Sequence, residues 1–297
     1  MIALEEIRPR IQALEAMPSV PAIVRPLAVM LQQPSDQVNM EMVVELVSYD
    51  STIAAQCLRM ANSPLFGRSK TETVRSAVVA LGLKRIEAIL LGCCLNGIVP
   101  ADKWAIDAVT FWRHALGCAL VSRKMAALIG YPDPEKAYLA GLLHDVGILV
   151  NTVACAEEFG RCVSAAREGH VALQRSEEQY LGFTHCDSGK ILAEHWRFSA
   201  DLIEVIEFHH TVAEPSTNVL VSLVHLSDLL CRLRDLGHGY YEAMGVDFSG
   251  DTAWKKIMEH YPALVSMDLA RLTMDIDGAM EEIVGTVDAV FKPRGYA

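Results

Sequence analysis

The chain has 297 residues, 52% of them hydrophobic and 21% charged, the balance of an ordered globular protein with material for one large domain or about two. Its 26 basic and 37 acidic residues give a net charge of −11. That field repels phosphate backbones and anionic lipid, so neither nucleic acid nor a membrane is the expected partner.

The N-terminal sequence MIALEEIRPRIQALEAMP carries acids early and no long apolar core, unlike a secretory signal. The stretch from Ala88 to Pro100, with no charge near its centre, has 13 residues and falls short of the roughly 20 needed to span a bilayer. The expected location is the cytoplasm. Eight cysteines without CxxC spacing, set mostly in apolar helical patterns, do not make a disulfide framework. The adjacent Cys93-Cys94 pair reads as two reduced core thiols.

Helical periodicity dominates and no run of period-two alternation stands against it, so an all-α fold is expected. Val43, Leu46 and Val47 mark one helix. Ile53, Cys57 and Met60 mark the next, which Asn62-Ser63-Pro64 should end, Asn by a left-handed cap and Pro by blocking continuation. Thr73 can cap a helix with the face Val74, Ala77, Val78 and Leu81, and Gly82 separates it from a helix through Leu83, Ile86 and Leu90. A polar break follows at Pro100 to Lys103.

The second half differs in character, because all ten histidines lie from His114 onward. One helix runs through Phe111, Leu116, Ala119 and Leu120 to a stop at Gly130-Tyr131-Pro132. Asp133-Pro134 then supplies a cap and first residue for a helix carrying Leu139, Leu142, Leu143 and Val146. In 141-GLLHDVGILV-150 that helix reaches His144-Asp145, an imidazole and a carboxylate inside an apolar run. Gly182 and Thr184 bracket a helix start before His185, and Ser199 opens a helix that runs to His209-His210. A further helix holds Leu220, Leu223, Val224 and Leu230 and carries Asp228. Residues 237–251 are glycine-rich and polar, and 252–297 read as a helical extension. No internal repeat is found.

His114, His144, Asp145, His185, His209, His210 and Asp228 thus lie at helix ends or on helix faces beside apolar residues. Leaving one buried polar group unpaired costs about 1 to 3 kcal/mol, so these groups either bind something or tie helices together. Imidazole and carboxylate together suit a divalent metal such as iron, manganese, cobalt or zinc, and ligands from separate helices can converge inside a bundle. Such an ion generates a hydroxide and polarises a phosphoryl oxygen. The competing reading is a set of interhelical hydrogen bonds. His225 is read as structural, and His170, His195, His238 and His260, which lack an acidic partner at helical spacing, as surface or core residues.

The order H, HD, H, HH, D resembles the metal-dependent HD superfamily and, with His185 and the double His209-His210, its HD-GYP branch of cyclic-dinucleotide phosphodiesterases. The segments 17-MPSVP-21, 49-YDSTIAAQCLRMANSPLFG-67 and 74-VRSAVVALG-82 resemble a narrower relative, the HDOD domain of bacterial signalling proteins. Together the resemblance covers about residues 10 to 235. It implies a two-lobed helical bundle: an N-terminal helical lobe at 1–102, an HD-like lobe at 103–236, and a C-terminal helical extension at 237–297. By similarity with the metal-dependent branch, His144 and Asp145 carry the central ligand pair. His114 and Asp228 complete a first metal, and His185, His209 and His210 serve a second.

The departures bear on activity. The active phosphodiesterases follow their HD pair with Gly-Lys, whose ammonium helps bind phosphate, whereas this chain has 144-HDVGIL-149 and places Ile148 at the lysine position. TVAEP follows His209-His210 where GYP would stand, and Ser51 follows Asp50 where the family often has proline. GxSxG, Walker and GxGxxG motifs are absent. The expectation is a cytoplasmic signalling module that works through a signalling protein partner on another chain and retains an HD-type site for a divalent metal. The alternative is a metal-dependent phosphohydrolase acting on a nucleotide or cyclic dinucleotide, against which Ile148 weighs.

Overall fold

A computed structural model describes residues 4, 7–10, 38–49, 51–66, 71–86, 88, 89, 92, 99, 103–212, 218–238, 250–261 and 269–291. The segment 17–21, Asp50, Cys93-Cys94, Pro100 and most of the glycine-rich stretch after 237 lie outside the described residues. Among the described residues every regular element is an α-helix, as the periodicity predicts.

Helices α1 (Met40–Tyr49), α2 (Ser51–Ala61) and α3 (Val74–Leu81) pack on one another. Val43, Val47, Ile53, Cys57, Met60, Ala77, Val78 and Leu81 are buried between them. Thr73 caps α3 in a reciprocal box: its side chain accepts from the Ser76 N–H at 3.1 Å, and the Ser76 hydroxyl accepts from the Thr73 N–H, so two otherwise unbonded donors are satisfied. Asn62 departs from the expected left-handed cap, because it does not take a positive φ. Its amide instead donates to the carbonyls of Leu58 and Thr71 and accepts from the Thr71 N–H, which pins the chain leaving α2 to the chain entering α3.

The larger part of the molecule is built on α4 (Ala108–Ile129), against which α5 (Pro134–Leu143), α11 (Val219–Arg232) and α13 (Leu269–Val290) pack. Gly130, left-handed at φ 77°, closes α4; a side chain there would clash with its own backbone. Asp133 and Pro134 open α5 as expected, the Asp133 side chain accepting from the Lys136 N–H at 3.0 Å. Helix α5 ends at Leu143 and α6 (Val146–Ala154) begins at Val146, so Val146 belongs to the second helix rather than the first. The His144 ring donates to the Gly141 carbonyl at 2.8 Å and satisfies a carbonyl that the helix end leaves open.

Helices α7 (Ala156–Gly169) and α8 (Leu173–Tyr180) pack together, and α9 (His185–His195) lies against α6 and α10 (Ala200–Phe208). Helix α12 (Thr252–His260) covers α11, and α13 touches both α4 and α2, joining the two groups of helices. The stretch Pro134–Ala154 is long and apolar enough by composition to cross a membrane, but 89% of its 18-residue apolar window is buried inside the fold. Cys57, Cys118, Cys155, Cys162, Cys186 and Cys231 are buried.

Candidate metal centre

Asp145 occupies the cap position of α6, yet its side chain makes no capping bond. Its two oxygens are left to face the interior, where five imidazoles meet them. His114 Nε2, His144 Nε2 and His238 Nε2 stand 3.6, 3.2 and 3.4 Å from Oδ2, and His185 Nε2 and His209 Nε2 stand 3.3 and 3.2 Å from Oδ1. Asp145 is only 3% exposed and all five rings are buried.

Two glycines let the helices come this close. A Cβ on Gly147 would fall 1.7 Å from the His185 carbonyl oxygen, and one on Gly141 would fall 2.6 Å from the Cys118 carbonyl oxygen. The HD pair is therefore flanked on both sides by residues that a side chain would drive apart.

The rings are oriented from behind. His144 Nδ1 faces the Gly141 carbonyl, His114 Nδ1 the Leu236 carbonyl at 2.6 Å, and His209 Nδ1 the carbonyls of Val205 and Ile206 at 3.2 and 3.1 Å. His185 Nδ1 faces Glu177 Oε2 at 2.7 Å, an oxygen that also accepts the His185 backbone N–H at 3.1 Å. Glu177, fully buried on α8, is held in turn by the Asn151 amide at 3.1 Å. Backbone carbonyls can only accept, so His114, His144 and His209 carry Nδ1–H and turn Nε2 inward, and Glu177 holds the His185 ring in the same orientation, the arrangement in which ligating histidines are held.

The inward nitrogens then oppose each other. His114 Nε2 and His144 Nε2 are 3.3 Å apart, and His185 Nε2 and His210 Nε2 are 3.2 Å apart. Between His114 and His144 a shared proton or a cation satisfies both nitrogens; His210 Nδ1 faces the Arg232 guanidinium at 3.5 Å, which places the His210 proton on Nε2, toward His185. Ligand atoms of His114, Cys118, His144 and Asp228 lie within 4.8 Å of one another, as do those of Asp145, His185, His209 and His210, and those of His114, Asp145 and His238. The donor set is imidazole and carboxylate, with one thiol at its edge, and it fits a borderline divalent ion.

Charge follows the same geometry. Burial alone would raise the Asp145 carboxyl, but His144, His185 and His209 outweigh it and hold the group well below its usual range. Burial lowers His209 to about 4, and with the neighbouring rings it lowers His210 and His238 well below the ordinary imidazole value. His185 moves the other way, because Glu177 overcomes the burial penalty. The centre thus holds an ionised carboxylate beside three imidazoles, His209, His210 and His238, that burial keeps from protonating, and one, His185, made basic from behind.

The seven side chains selected from the sequence are all here. His114 comes from α4, His144 and Asp145 from the α5–α6 junction, His185 from the first position of α9, His209 and His210 from the end of α10, and Asp228 from α11. Asp228 Oδ1 is 3.3 Å from His114 Nε2, and Oδ2 is 3.7 Å from His210 Nδ1. Its carboxylate is also gripped by Arg232, one turn on, whose Nε donates at 2.8 Å and whose Nη2 donates to the other oxygen.

His238, read from the sequence as a surface or core residue without an acidic partner, is a core residue whose acidic neighbour, Asp145, comes from another helix junction. Glu177, Cys118 and Arg232 were not selected either; Cys118 and Arg232 each stand four residues from a selected group and share its helix face, the signal that would have found them. His225 keeps the structural role expected of it, its Nδ1 on the His209 carbonyl at 2.6 Å and its Nε2 3.5 Å from Asp251. His170 is the left-handed cap of α7, and His260 is exposed at the end of α12.

The HDOD domain family matches residues 17–212. The chain belongs to the HDOD domain family. A solved HDOD domain protein of unknown function from Geobacter sulfurreducens is 27% identical, with 98% of each chain covered and a TM-score of 0.78. A protein of Shewanella amazonensis SB2B with a provisional phosphohydrolase name has the same fold at 22% identity, TM-score 0.68, over 94% of this chain and 97% of that one. A protein of Marinobacter aquaeolei VT8 with a provisional signal-transduction name does so at 22% and 0.71, over 94% of this chain and 60% of that one. An uncharacterized protein of Treponema pallidum (strain Nichols) is 23% identical over 233 residues; the match covers 77% of this chain and 44% of that one, so the chain spans less than half the length of this curated relative.

Proposed function

We propose that this HDOD domain is a regulatory module that acts through a protein partner and holds a divalent metal in its HD-type centre. The observation that carries the reading is the closure of that centre. The ligand-type atoms are enclosed, and of the selected side chains only His210, at 17% side-chain exposure, reaches solvent, beside Arg232 at 13%. A hydrolytic centre needs an open position for substrate, and Ile148, fully buried in the core, supplies no cation for a phosphate.

His114, His144 and Asp228 would hold one ion and His185, His209 and His210 another, with Asp145 between the two sets. Such ions would supply Lewis acidity, one set of ligands coming from α4, the α5–α6 junction and α11 and the other from α9 and the end of α10. Around it Glu177 keeps His185 basic, the backbone carbonyls keep the other Nε2 atoms inward, and Arg232 balances the Asp228 carboxylate. Links from five parts of the chain make ion binding and folding interdependent, which suits a site whose output is a stable surface for a partner. The provisional signal-transduction name of the Marinobacter structure agrees with this reading.

One observation favours the alternative, a metal-dependent phosphohydrolase: Arg232 places a guanidinium at the solvent side of the centre, a group suited to phosphate, and the Shewanella relative carries a phosphohydrolase name. The test is elemental analysis of protein purified without added metal and after loading with iron, manganese or zinc, followed by release of p-nitrophenol from bis(p-nitrophenyl) phosphate. Bound metal, a lower melting temperature on chelation and no turnover are expected. Turnover that vanishes in His144→Ala and Asp145→Ala would replace the regulatory reading with the hydrolase.

A further inference from the structure

The chain leaving α11 turns back into the centre. Asp235 takes a left-handed conformation at φ 56°, and the Leu236 N–H donates to the Cys231 carbonyl at 3.0 Å. Leu236, buried, packs so tightly on α4 that a Cβ on Gly117 would lie 2.8 Å from its Cδ1. Its carbonyl receives His114 Nδ1. Two residues later His238 enters between Phe111 and His114, its ring 5.8 Å from the first and 4.0 Å from the second, and brings Nε2 to 3.4 Å from Asp145 Oδ2.

This placement has two features that an ordinary core histidine does not require. The same short segment orients one ligand-type ring through its backbone and delivers a second ring through its side chain. The delivered nitrogen also lies within 4.8 Å of donor atoms from both His114 and Asp145, on the carboxylate oxygen that His114 and His144 also approach.

We propose that His238 is an eighth protein ligand, which completes the ion at His114 and Asp145 from the chain beyond α11 and leaves fewer of that ion's positions to water. The inference rests on the metal-loaded reading above and goes beyond it, since it makes the closed coordination a property of one side chain. It also ties ion binding to residues 236–238, and so to the chain that leads into α12 and α13.

The experiment uses the full chain stripped with chelator and reloaded, comparing wild type with His238→Ala and His238→Gln. Water-proton relaxation of the Mn²⁺ form reads exchangeable inner-sphere water, and the visible spectrum of the Co²⁺ form reads the donor set. Wild type should hold fewer exchangeable waters than His238→Ala. The alanine variant should bind one ion at least about 10-fold more weakly, and added imidazole should return its Co²⁺ spectrum toward wild type. His238→Gln keeps a polar group on Asp145 and should still shift the Co²⁺ bands. Variants that match wild type in affinity, hydration and spectrum would overturn the role of His238 while leaving the metal-loaded reading standing. A wild-type chain that takes up no metal would overturn both.

Discussion

Around α1 to α3 the interior is made of Val43, Val47, Ile53, Met60, Val78 and Leu81, with Ser63 and Thr71 at its margin. Around α4 to α11 the helices enclose Asp145, Asp228, Glu177 and a cluster of imidazoles. The first interior depends on volume alone: its energy is set by apolar area removed from water and by how well the pieces fit. The second also depends on protonation and on cations, because its polar groups satisfy each other only in one charge arrangement. One chain thus carries a passive core and a conditional one, and α13 spans both.

The sharpest way to test that difference is to damage each core in turn. Asp145→Ala removes the anion that five imidazoles face and should cost about 3 to 5 kcal/mol in metal-free protein, with metal uptake lost. Leu81→Ala should cost about 3 kcal/mol by opening a cavity, and the same amount with metal bound or stripped. Urea unfolding of both variants in both states reads the result. A Leu81→Ala penalty that changes on metal loading would show that the two cores are not separable.

Acid should divide them as well. In the metal-free protein the unfolded chain takes up a proton on His209 below about 6.5, while the folded chain resists until about 4. The unfolded state therefore binds more protons throughout this window, and stability falls as pH falls through it, by about 3 kcal/mol for His209 alone. His210 and His238 are shifted in the same direction and add to the loss. His185 opposes it, since its raised value contributes stability that is present at low pH and lost as pH rises. Urea titrations at pH 7 and pH 4.5 measure the balance, and a flat profile would contradict it.

A smaller effect belongs to Glu177. Glu177→Gln removes the charge behind His185 and should weaken metal binding about 10- to 100-fold, read by competition with a chromogenic chelator. Unchanged affinity would mean that the Glu177–His185 pair serves packing only.

The helix punctuation was legible because it is local. Thr73, Asp133-Pro134 and Thr184 each act on the next turn of their own helix, and the HD pair, His185, the double histidine and Asp228 stood out as polar groups on apolar faces. What could not be read depends on chain reversal. Glu177 reaches His185 from a different helix, and His238 arrives only because Asp235 turns the backbone toward α4. Asn62 misled for a related reason: the expected cap assumed only its own helix, whereas its amide found Thr71 across the turn. The family segments lie mainly in the passive core, and the chemistry lies in the other.

Arg113 gives this arrangement a mechanical aspect. It sits one residue before His114 on α4, pairs with Asp288 at 2.6 Å and donates to the Phe291 carbonyl at 2.7 Å, gripping the far end of α13. The same helix meets the other helical group where the Leu65 N–H donates to the Thr286 hydroxyl at 3.3 Å. A rod about 33 Å long is thereby fastened at one end to the other group of helices and to the neighbour of a central imidazole. Arg113 and His114 are neighbours on one helix, so the residue that anchors this rod and the ring beside Asp145 share the same turn of α4.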